Sequence, residues 1–259
     1  MVYSKENIIE QIKDLGIGRN DTLLIHSSMK SIGEVKNGAE TILDAFIEYL
    51  SEGLLIFPTH TWATIDEKNC TFNPLTEPSC VGILSNLFMK RQGVFRSLHP
   101  ILSVAALGKG AKEYVSGEEN TDTPCSRNGC LGKLYEMEAK ILFIGCGLRS
   151  NTIIHGVEEW NQVPKRLTDD YIPFIIHTPD GRFIDRPMRV HDHSRGDISE
   201  NYGKIEEALL KNKIAHIGKI GEAKTYYCDV RKMVDLVSIF LKRNPDLFGD
   251  KNPVPSEWY

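Results

Sequence analysis

Two short apolar runs flank an amphipathic segment near the start of the chain, and this arrangement constrains the fold more than any other feature. The runs are "DTLLIHSS" and "GLLIFPTHTW", and "NGAETILDAFIEYLSEG" lies between them. Apolar residues of the middle segment recur three and four positions apart from Ile42 to Leu50, which is helical spacing, and Gly53 ends it. Strand, helix and strand in this order predict a βαβ unit with parallel strands and a right-handed crossover.

The same alternation extends on both sides of this unit. An amphipathic helix is predicted over about residues 5–15, and "VGILSNLFMKRQG" and "LGKLYEMEA" are also helical in pattern. "ILSVAALG" and "KILFIGCG" have the apolar character of buried strands. The polar stretch 63–80 has no clean period and is predicted to be a loop, which at this length is usually functional or mobile.

The second half of the chain has a different pattern. "YIPFIIHTPDGRFIDRPM" predicts two strands joined by a turn at Pro179-Asp180-Gly181, and two more short strands are predicted around Gly221. Helices are predicted at "NYGKIEEALLKN" and before Pro245. We therefore expect one domain, 1–259, of the α/β class. It would have α/β/α layers and a mixed central sheet, parallel in the N-terminal half with antiparallel additions in the C-terminal half.

Charge and cysteine content exclude several classes of protein. The net charge is -4 and no block of Lys or Arg stands out, which argues against a nucleic-acid partner. The N-terminus has a helical pattern rather than that of a signal peptide, and the longest apolar runs are too short to span a bilayer. The 6 cysteines include no CxxC pair, and Cys125 and Cys130 are poorly spaced for zinc. We expect a cytoplasmic protein with free thiols, no metal and no membrane partner.

Polar side chains follow the first two predicted strands. His26, Ser27 and Ser28 end one, and Thr59, His60 and Thr61 end the other. Ligands of α/β sheets gather at the carboxyl ends of parallel strands, so these side chains are candidates for a binding site. The alternative is that they cap a helix or form turns by bonding the local backbone.

The stretch "TIIHGVEEW" holds a candidate catalytic pair, His155 with Glu158 three residues later. Residues three apart share a helix face, so Glu158 could orient the imidazole and raise its basicity, as a general base requires. Asp192 in "HDHSRG" is a second candidate for this orienting role. The alternative is an exposed helix histidine followed by acids that the helix dipole favours. Cys125 is a conceivable nucleophile, although no feature of the sequence lowers its pKa.

Taken in order, these stretches resemble the aminoglycoside 3-N-acetyltransferase family. The matching pieces are "LLIHSSMKSIGEVKNGAETILDAF", "IFPTHTW", "HPILSVAALG", "TPCSRNGCLGKLY", "GCGLRSNTIIHGVEEW" and "HDHSRG", which span about residues 22–196. The resemblance implies transfer of an acetyl group from acetyl-coenzyme A to the 3-amino group of the deoxystreptamine ring. It implies acetyl-coenzyme A as cosubstrate, a small-molecule amine as the other partner, and no metal.

The resemblance also implies roles for individual residues. His155 would be the general base, with Glu158 or Asp192 beside it and the strand-end Thr61 at the reacting thioester. The segment that binds coenzyme A would comprise Ser27, Ser28, Ser31, Ile32, Gly33 and Val35, with Thr59 and Ser103 lining the thioester region. The loop 121–132 would help to close over the pantetheine arm. Apart from the resemblance, three acidic side chains are candidates to attract a cationic substrate, namely Glu159, Asp66 and Asp122; the alternative is that exposed acids serve only solubility.

Two departures from the family leave the acceptor open. Gly156 and Val157 stand between the histidine and the glutamate, where the family usually has a larger residue and then Ala. The chain also looks shorter between about residues 62 and 100. Alternatives are an acetyltransferase of another amine, such as an amino sugar, a non-catalytic acyl-coenzyme A binding protein, and a hydrolase using Cys125. A homodimer is also left open.

Overall fold

The computed structural model describes residues 2–194 and 196–259. Its strands, in chain order, are β1 (Thr22–Ser27), β2 (Leu54–Pro58), β3 (Thr71–Phe72), β4 (Phe95–Arg96), β5 (Val104–Gly108), β6 (Lys140–Ile144), β7 (Ile172–His177), β8 (Phe183–Met188), β9 (Ala215–Ile220) and β10 (Ala223–Asp229). Its α-helices are α1 (Lys5–Asp14), α2 (Ala39–Tyr49), α3 (Ile83–Phe88), α4 (Ala111–Val115), α5 (Cys130–Glu136), α6 (Thr152–Trp160), α7 (Glu206–Lys211) and α8 (Val230–Arg243). Short 3-10 helices connect several of them.

Within these described residues, a seven-stranded mixed sheet has the order β4-β5-β2-β1-β6-β10-β9. Strand β1 pairs in parallel with β2 and with β6, and β10 and β9 continue the sheet in antiparallel fashion. The predicted mixed α/β sheet is therefore confirmed. One strand of the N-terminal half differs from the prediction, because β5 pairs antiparallel with β2 and aligns Pro58 with Val104. The chain re-enters the sheet at the edge where β2 ends, whereas a parallel strand needs a crossover to the opposite edge.

The predicted hairpin over 172–188 forms, but not in the central sheet. Strands β7 and β8 pair antiparallel, and β3 joins β7 in parallel, which gives a separate three-stranded sheet in the described part of the chain. The turn closes through a hydrogen bond from Gly181 N–H to the Thr178 carbonyl, and Gly181 has a φ of 85°. Glycine adopts this left-handed conformation without the penalty that a Cβ brings.

The central sheet is buried on both faces. Along β1, Leu23 and Ile25 face a core formed with α1, α2 and α3, while Leu24 faces a second core formed with helices α4 to α8. Because successive strand residues point to opposite faces, a strand covered on both sides is apolar throughout. This is why "TLLI" and "LLIF" are built almost wholly of apolar residues. No helix in the described ranges has the length and apolar character needed to cross a membrane.

The ends of β1 and β6 place the functional region. Both strands run in the same direction, so Ser27 and Ile144 lie paired at one edge of the sheet. From Ile144 the chain passes through a short 3-10 helix, Leu148–Ser150, into α6. The Asn151 side chain accepts a hydrogen bond from Ile153 N–H and so caps this helix. The first turn of α6 is thereby fixed at the carboxyl edge of the sheet.

Candidate active site

A cavity of about 840 Å³ opens at the carboxyl edge of the central sheet. Its wall combines strand ends, the start of α6 and the segment after β8, with lining residues that include His26, Ser27, His60, Cys146, Arg149, Thr152, His155, His191, His193 and Asp197. Much of the remaining wall is apolar, including Trp62, Ile65, Leu102, Ile172 and Phe174. A large concave site with few converging polar groups is the usual form of a small-molecule site.

His155 lies in the first turn of α6 and reaches this cavity with 19% of its side chain exposed. Its Nδ1 lies 2.6 Å from the Tyr202 hydroxyl and also contacts the guanidinium of Arg166. Its other nitrogen, Nε2, has no partner among the described residues. Burial lowers the pKa of His155 well below its usual range, and the neighbouring His191 and Arg166 lower it further. The imidazole is therefore neutral at neutral pH.

Glu158 lies close to His155 but is joined to it through a third residue. Its Oε2 accepts a hydrogen bond of 2.6 Å from the Tyr202 hydroxyl, lies 2.8 Å from Arg166 Nε, and is 3.9 Å from His155 Nδ1. Burial raises the pKa of Glu158 to about 7, although Arg166 and Tyr202 both favour the carboxylate. The structure thus brings the predicted His155 and Glu158 together, with Tyr202 as the bridge.

Sequence reasoning missed Tyr202 and Arg166. Tyr202 is fully buried in the 3-10 helix Ile198–Ile205, and Arg166 is 3% exposed in the loop after α6. No local pattern points to either residue. The sequence offers one indirect signal. If the Glu158 carboxylate is buried on a helix, it needs a charged or hydrogen-bonding partner from elsewhere in the chain.

A second imidazole–carboxylate pair lies beside the first. His191 Nε2 is 2.7 Å from Glu159 Oε1, and its ring centroid is 4.7 Å from that of His155. Glu159 also accepts a 3.0 Å hydrogen bond from Cys125 N–H, and burial raises its pKa to about 7. Its side chain is 5% exposed. This differs from the prediction that Glu159 contacts substrate, because its carboxylate is occupied inside the protein.

The strand end at residues 59–61 presents a different side chain from the predicted ones. His60 lines the cavity, with Nε2 3.3 Å from Thr152 Oγ1, and burial lowers its pKa to about 3. Thr59 and Thr61 are fully buried, and the Thr61 hydroxyl donates to the carbonyl of Pro100. Alternate residues of an extended chain point to opposite sides, so the His60 side chain faces the cavity and both threonine side chains point away from it.

Ser103 belongs to the same buried network rather than to the cavity wall. Its hydroxyl donates to the Thr59 carbonyl at 2.8 Å and accepts a 3.1 Å hydrogen bond from Arg96 Nε. The Thr59 and Ser103 hydroxyl oxygens lie 3.0 Å apart. These contacts hold β2 against the chain that enters β5. The hydroxyls of Thr59, Thr61 and Ser103 are therefore not accessible from the cavity. This differs from the prediction that Thr61 acts in catalysis and that the other two line a thioester.

The predicted coenzyme segment forms the rim and the support of the cavity. Ser27 lines the cavity, while Ser28 precedes the 3-10 helix Met29–Ile32 and accepts a hydrogen bond from Ser31. Ile32 and Val35 are buried in the core shared with α1 and α2. Gly33 has a φ of 85° and packs against the side chain of Glu222. The structure describes every residue of this predicted segment, and among them Ser27 is the one that lines the cavity.

The predicted acidic residues are separated in the structure. Asp66 lines the cavity, and its carboxylate accepts from Lys68 N–H and Asn69 N–H. Asp122 is exposed, and its backbone carbonyl accepts a hydrogen bond from Arg189 N–H. Asp197, which sequence reasoning did not select, also lines the cavity.

Asp192 does not take the orienting role. Its carboxylate accepts hydrogen bonds from the backbone and hydroxyl of Ser194, at 2.8 and 3.0 Å, and lies outside the lining of the main cavity. Among the described residues, Glu158 is the carboxylate within 4 Å of the His155 ring nitrogens. Arg195 of the "HDHSRG" stretch lies outside the described residues.

Cys125 lacks the environment of a nucleophile. It is 1% exposed, and burial together with the nearby Glu159 raises its pKa well above the usual range. His191 Nε2 is 4.0 Å from the sulfur, but this nitrogen is already bonded to Glu159. The donor atoms of Cys125, Glu159 and His191 lie within 4.8 Å of one another, a grouping compatible with a metal ion that cysteine spacing does not reveal. In the present geometry they bond one another.

The unusual glycine in "IHGVEEW" has a packing reason. A Cβ at Gly156 would lie 2.8 Å from the Trp160 ring, so the ring occupies the space that a side chain would need. Trp160 in turn donates a 2.7 Å hydrogen bond from its indole nitrogen to the Cys125 carbonyl. The glycine thus lets α6 anchor the loop before α5.

The sequence and the fold match known proteins over nearly their whole length. The model of a family described as aminoglycoside 3-N-acetyltransferase matches residues 24–242. The chain is 26% identical, over 93% of each chain, to the Bacillus subtilis SPbeta prophage-derived aminoglycoside N(3')-acetyltransferase-like protein YokD. It is 25% identical to aminoglycoside N(3)-acetyltransferase IV of Salmonella sp, covering 95% of this chain and 90% of the relative.

Solved structures show the same fold. The apoenzyme of aminoglycoside acetyltransferase AAC(3)-IVa matches with a TM-score of 0.77 and 26% identity, over 96% of this chain and 92% of that one. AAC-IIIb in a binary complex with CoASH matches with a TM-score of 0.83 and 20% identity, over 99% and 100% of the two chains.

Proposed function

Because the chain belongs to the aminoglycoside 3-N-acetyltransferase family, we propose that it transfers an acetyl group from acetyl-coenzyme A to an amino group of an aminoglycoside, with His155 as the general base. The observation that supports this role is the asymmetry of the His155 ring. Nδ1 is held by Tyr202 inside the protein, and the remaining nitrogen belongs to a ring on the wall of a cavity of about 840 Å³. A base needs one anchored nitrogen and one that can reach the substrate.

The hydroxyl of Tyr202 sets the tautomer in this proposal. A phenol has one proton to donate, and Tyr202 donates it to Glu158 at 2.6 Å. Its oxygen then accepts the Nδ1–H of His155, and the lone pair is on Nε2. This tautomer requires the Arg166 guanidinium, which can only donate, to bond Glu158 rather than Nδ1. Glu158 thereby acts on His155 through Tyr202, and its charge stabilises the imidazolium that forms when Nε2 takes a proton.

The low pKa of His155 suits this role in one respect. Burial keeps the imidazole unprotonated, so the base form is populated at neutral pH without a preceding ionisation. His155 Nε2 takes a proton from the substrate ammonium, and the amine attacks the thioester carbonyl. The C–N bond forms and the C–S bond breaks. Of the two protons that the nitrogen gives up, one is passed to the leaving sulfur, so that coenzyme A leaves as its thiol, and the other is released to solvent. An activated thioester needs no metal in this scheme, and that absence stays a prediction.

Charged groups on the cavity wall support the two substrate classes. Arg149 offers a guanidinium to the phosphates of coenzyme A, and Asp66 and Asp197 offer carboxylates to a cationic acceptor. Among the relatives, a histidine-to-alanine mutant of AAC(3)-IVa was solved in complex with a gentamicin, at a TM-score of 0.81 and 25% identity to this chain. Cytoplasmic location and a homodimer stay predictions.

The test is turnover by His155→Ala. Coenzyme A release is measured with acetyl-coenzyme A and a panel of aminoglycosides, and general-base catalysis typically contributes about 10²- to 10⁴-fold. We expect kcat to fall by that factor. The matched control is His177→Ala, since His177 lies on β7 bonded to Asn73 and outside the cavity. Wild-type turnover by His155→Ala would show that another group is the base.

A second acceptor class is favoured by one observation. Among the described residues, Asp66 and Asp197 are the carboxylates on the cavity wall, and most of the other side chains there are apolar or histidine. An aminoglycoside carries several ammonium groups, whereas two carboxylates on a largely apolar wall match an acceptor with fewer amines and an apolar face. Comparing kcat/KM for aminoglycosides with that for monoamino sugars and simple amines decides between the two. A preference of more than tenfold for monoamines assigns the second class.

A further inference from the structure

The proposed function uses one imidazole of the cavity, but a second lies against it. The rings of His155 and His191 are 4.7 Å apart between centroids and are tilted by 33°. Both rings line the same cavity. The two histidines come from different parts of the chain, so the structure alone brings them together.

His191, like His155, is held through one ring nitrogen, but its partner is a carboxylate and not a hydroxyl. Its Nε2 lies 2.7 Å from the carboxylate of Glu159, and the two side chains are 9% and 5% exposed. Its Nδ1 has no partner among the described residues and belongs to a ring on the cavity wall. Glu158 and Glu159 are adjacent on α6, so one turn of helix supplies a buried carboxylate to each imidazole system.

The chemistry of acetyl transfer calls for more than one proton acceptor. An ammonium nitrogen loses two protons on becoming an amide, while the leaving sulfur gains one. The difference, one proton, is released to water. A single imidazole would have to pass its first proton to the leaving sulfur before it could take the second, whereas two imidazoles can hold both protons at once.

We propose that His191, oriented by Glu159, is a second acid–base residue of the acetyl transfer; this inference rests on the proposed function. His155 Nε2 takes the first proton, from the ammonium, before attack. His191 Nδ1 takes the second, from the same nitrogen, once the C–N bond has formed. As the C–S bond breaks, one of the two imidazolium ions returns a proton to the thiolate. The other loses its proton to solvent.

The surroundings of His191 fit a proton acceptor rather than a permanent cation. Burial lowers its pKa well below the usual range, and Arg166 lowers it further. The carboxylate of Glu159 stabilises the imidazolium once it forms. The titratable and charged groups that face His191 are Glu159 and His155 from α6, Cys125 from the loop before α5, Arg166 from the loop after α6, His99 from the loop before β5, and His193 from its own segment.

The competing explanation is that His191 only packs against His155. Imidazole rescue separates the two roles. His191→Ala removes the ring, and we expect kcat to fall by about 10²- to 10⁴-fold. Added imidazoles enter the space and restore turnover, with rates that rise with the pKa of the added imidazole. His177→Ala, the matched control, keeps wild-type turnover and shows no response to imidazole.

A second variant and one measurement on the wild-type protein test the proposal even if His191→Ala does not fold. Glu159→Gln keeps a hydrogen-bond acceptor but removes the charge, and we expect at least a tenfold loss of kcat with a smaller change in KM for acetyl-coenzyme A. In the wild type, log kcat falls on the acid side with a limiting slope of at least two, reached well below the usual pKa range of histidine, because both imidazoles must be neutral.

Three results overturn the proposal. These are turnover within threefold of wild type in His191→Ala, loss of turnover in a folded His191→Ala that no imidazole restores, and a limiting slope of one in the wild type. The proposed function is tested separately. If His155→Ala loses activity and His191→Ala keeps it, this inference is overturned and the proposed function stands. If His155→Ala keeps full activity, the assignment of His155 as the base is overturned.

Discussion

Removing the hydroxyl of Tyr202 tests the link between Glu158 and His155. Tyr202→Phe keeps the ring, which packs edge-on against Phe248 at 4.8 Å between centroids and against His155 at 5.0 Å. The oxygen that lies 2.6 Å from both Glu158 Oε2 and His155 Nδ1 is lost. The variant therefore changes hydrogen bonding without opening a large cavity.

The size of the effect follows from these contacts. A hydrogen bond to a charged group contributes about 1.5–3 kcal/mol. If the bond strengthens as His155 becomes an imidazolium, its loss raises the barrier by a similar amount. At about 1.4 kcal/mol per factor of ten, kcat falls by about ten- to a hundredfold. Stability falls by about 1–3 kcal/mol, because Glu158 keeps Arg166 but loses its second partner in a buried site.

The assay is coenzyme A release at saturating acetyl-coenzyme A, together with urea unfolding of the same samples. Tyr226→Phe is the control, since Tyr226 also donates a 2.7 Å hydrogen bond to a glutamate, Glu206, but lies outside the cavity lining. We expect unchanged kcat for the control. If Tyr202→Phe keeps wild-type kcat while its stability falls, the hydroxyl holds the fold and plays no part in activating His155.

Three further outcomes follow from the packing of the site. Gly156→Ala should unfold at lower urea, by about 1–3 kcal/mol, because its Cβ would meet the Trp160 ring at 2.8 Å; an unchanged midpoint refutes the packing argument. Burial depresses the folded-state pKa of His60 to about 3, so its contribution is complete above about pH 6.5 and falls as pH drops. His60→Gln should therefore lose less stability than wild type between about pH 6.5 and 4, and equal losses by urea unfolding contradict this. In mass spectra after alkylation, Cys125 should stay unmodified in the folded protein, while Cys146, on the cavity wall, should react more slowly when acetyl-coenzyme A is present. Labelling of Cys125 at the rate of Cys146 would show that the buried site opens.

Periodicity alone located most helices and strands, because burial imposes it. The runs at β1, β2 and β6 are apolar nearly throughout, since both faces of the sheet are covered, and α2 and α8 carry an apolar stripe. The direction of β5 and the separate sheet of β7 and β8 were not accessible in this way. Periodicity reports which faces of a strand are buried, but not which neighbour it pairs with or in which direction.

The catalytic candidates divide along the same line. His155 and Glu158 were visible in the sequence because helical spacing places residues three apart on one face. Tyr202, Arg166 and His191 were not, since they reach α6 from distant segments.

The sequence by itself determined the layered α/β fold, the position of the site at the strand ends and the His155–Glu158 pair, because each is encoded in spacing along one element. Only the tertiary structure decided that His60 rather than its neighbouring threonines faces the cavity, that Tyr202 bridges the pair, and that Glu159 points inward to His191. The physical reason is that a buried polar group must find its partner in space, and that partner is set by packing between elements and not by distance along the chain.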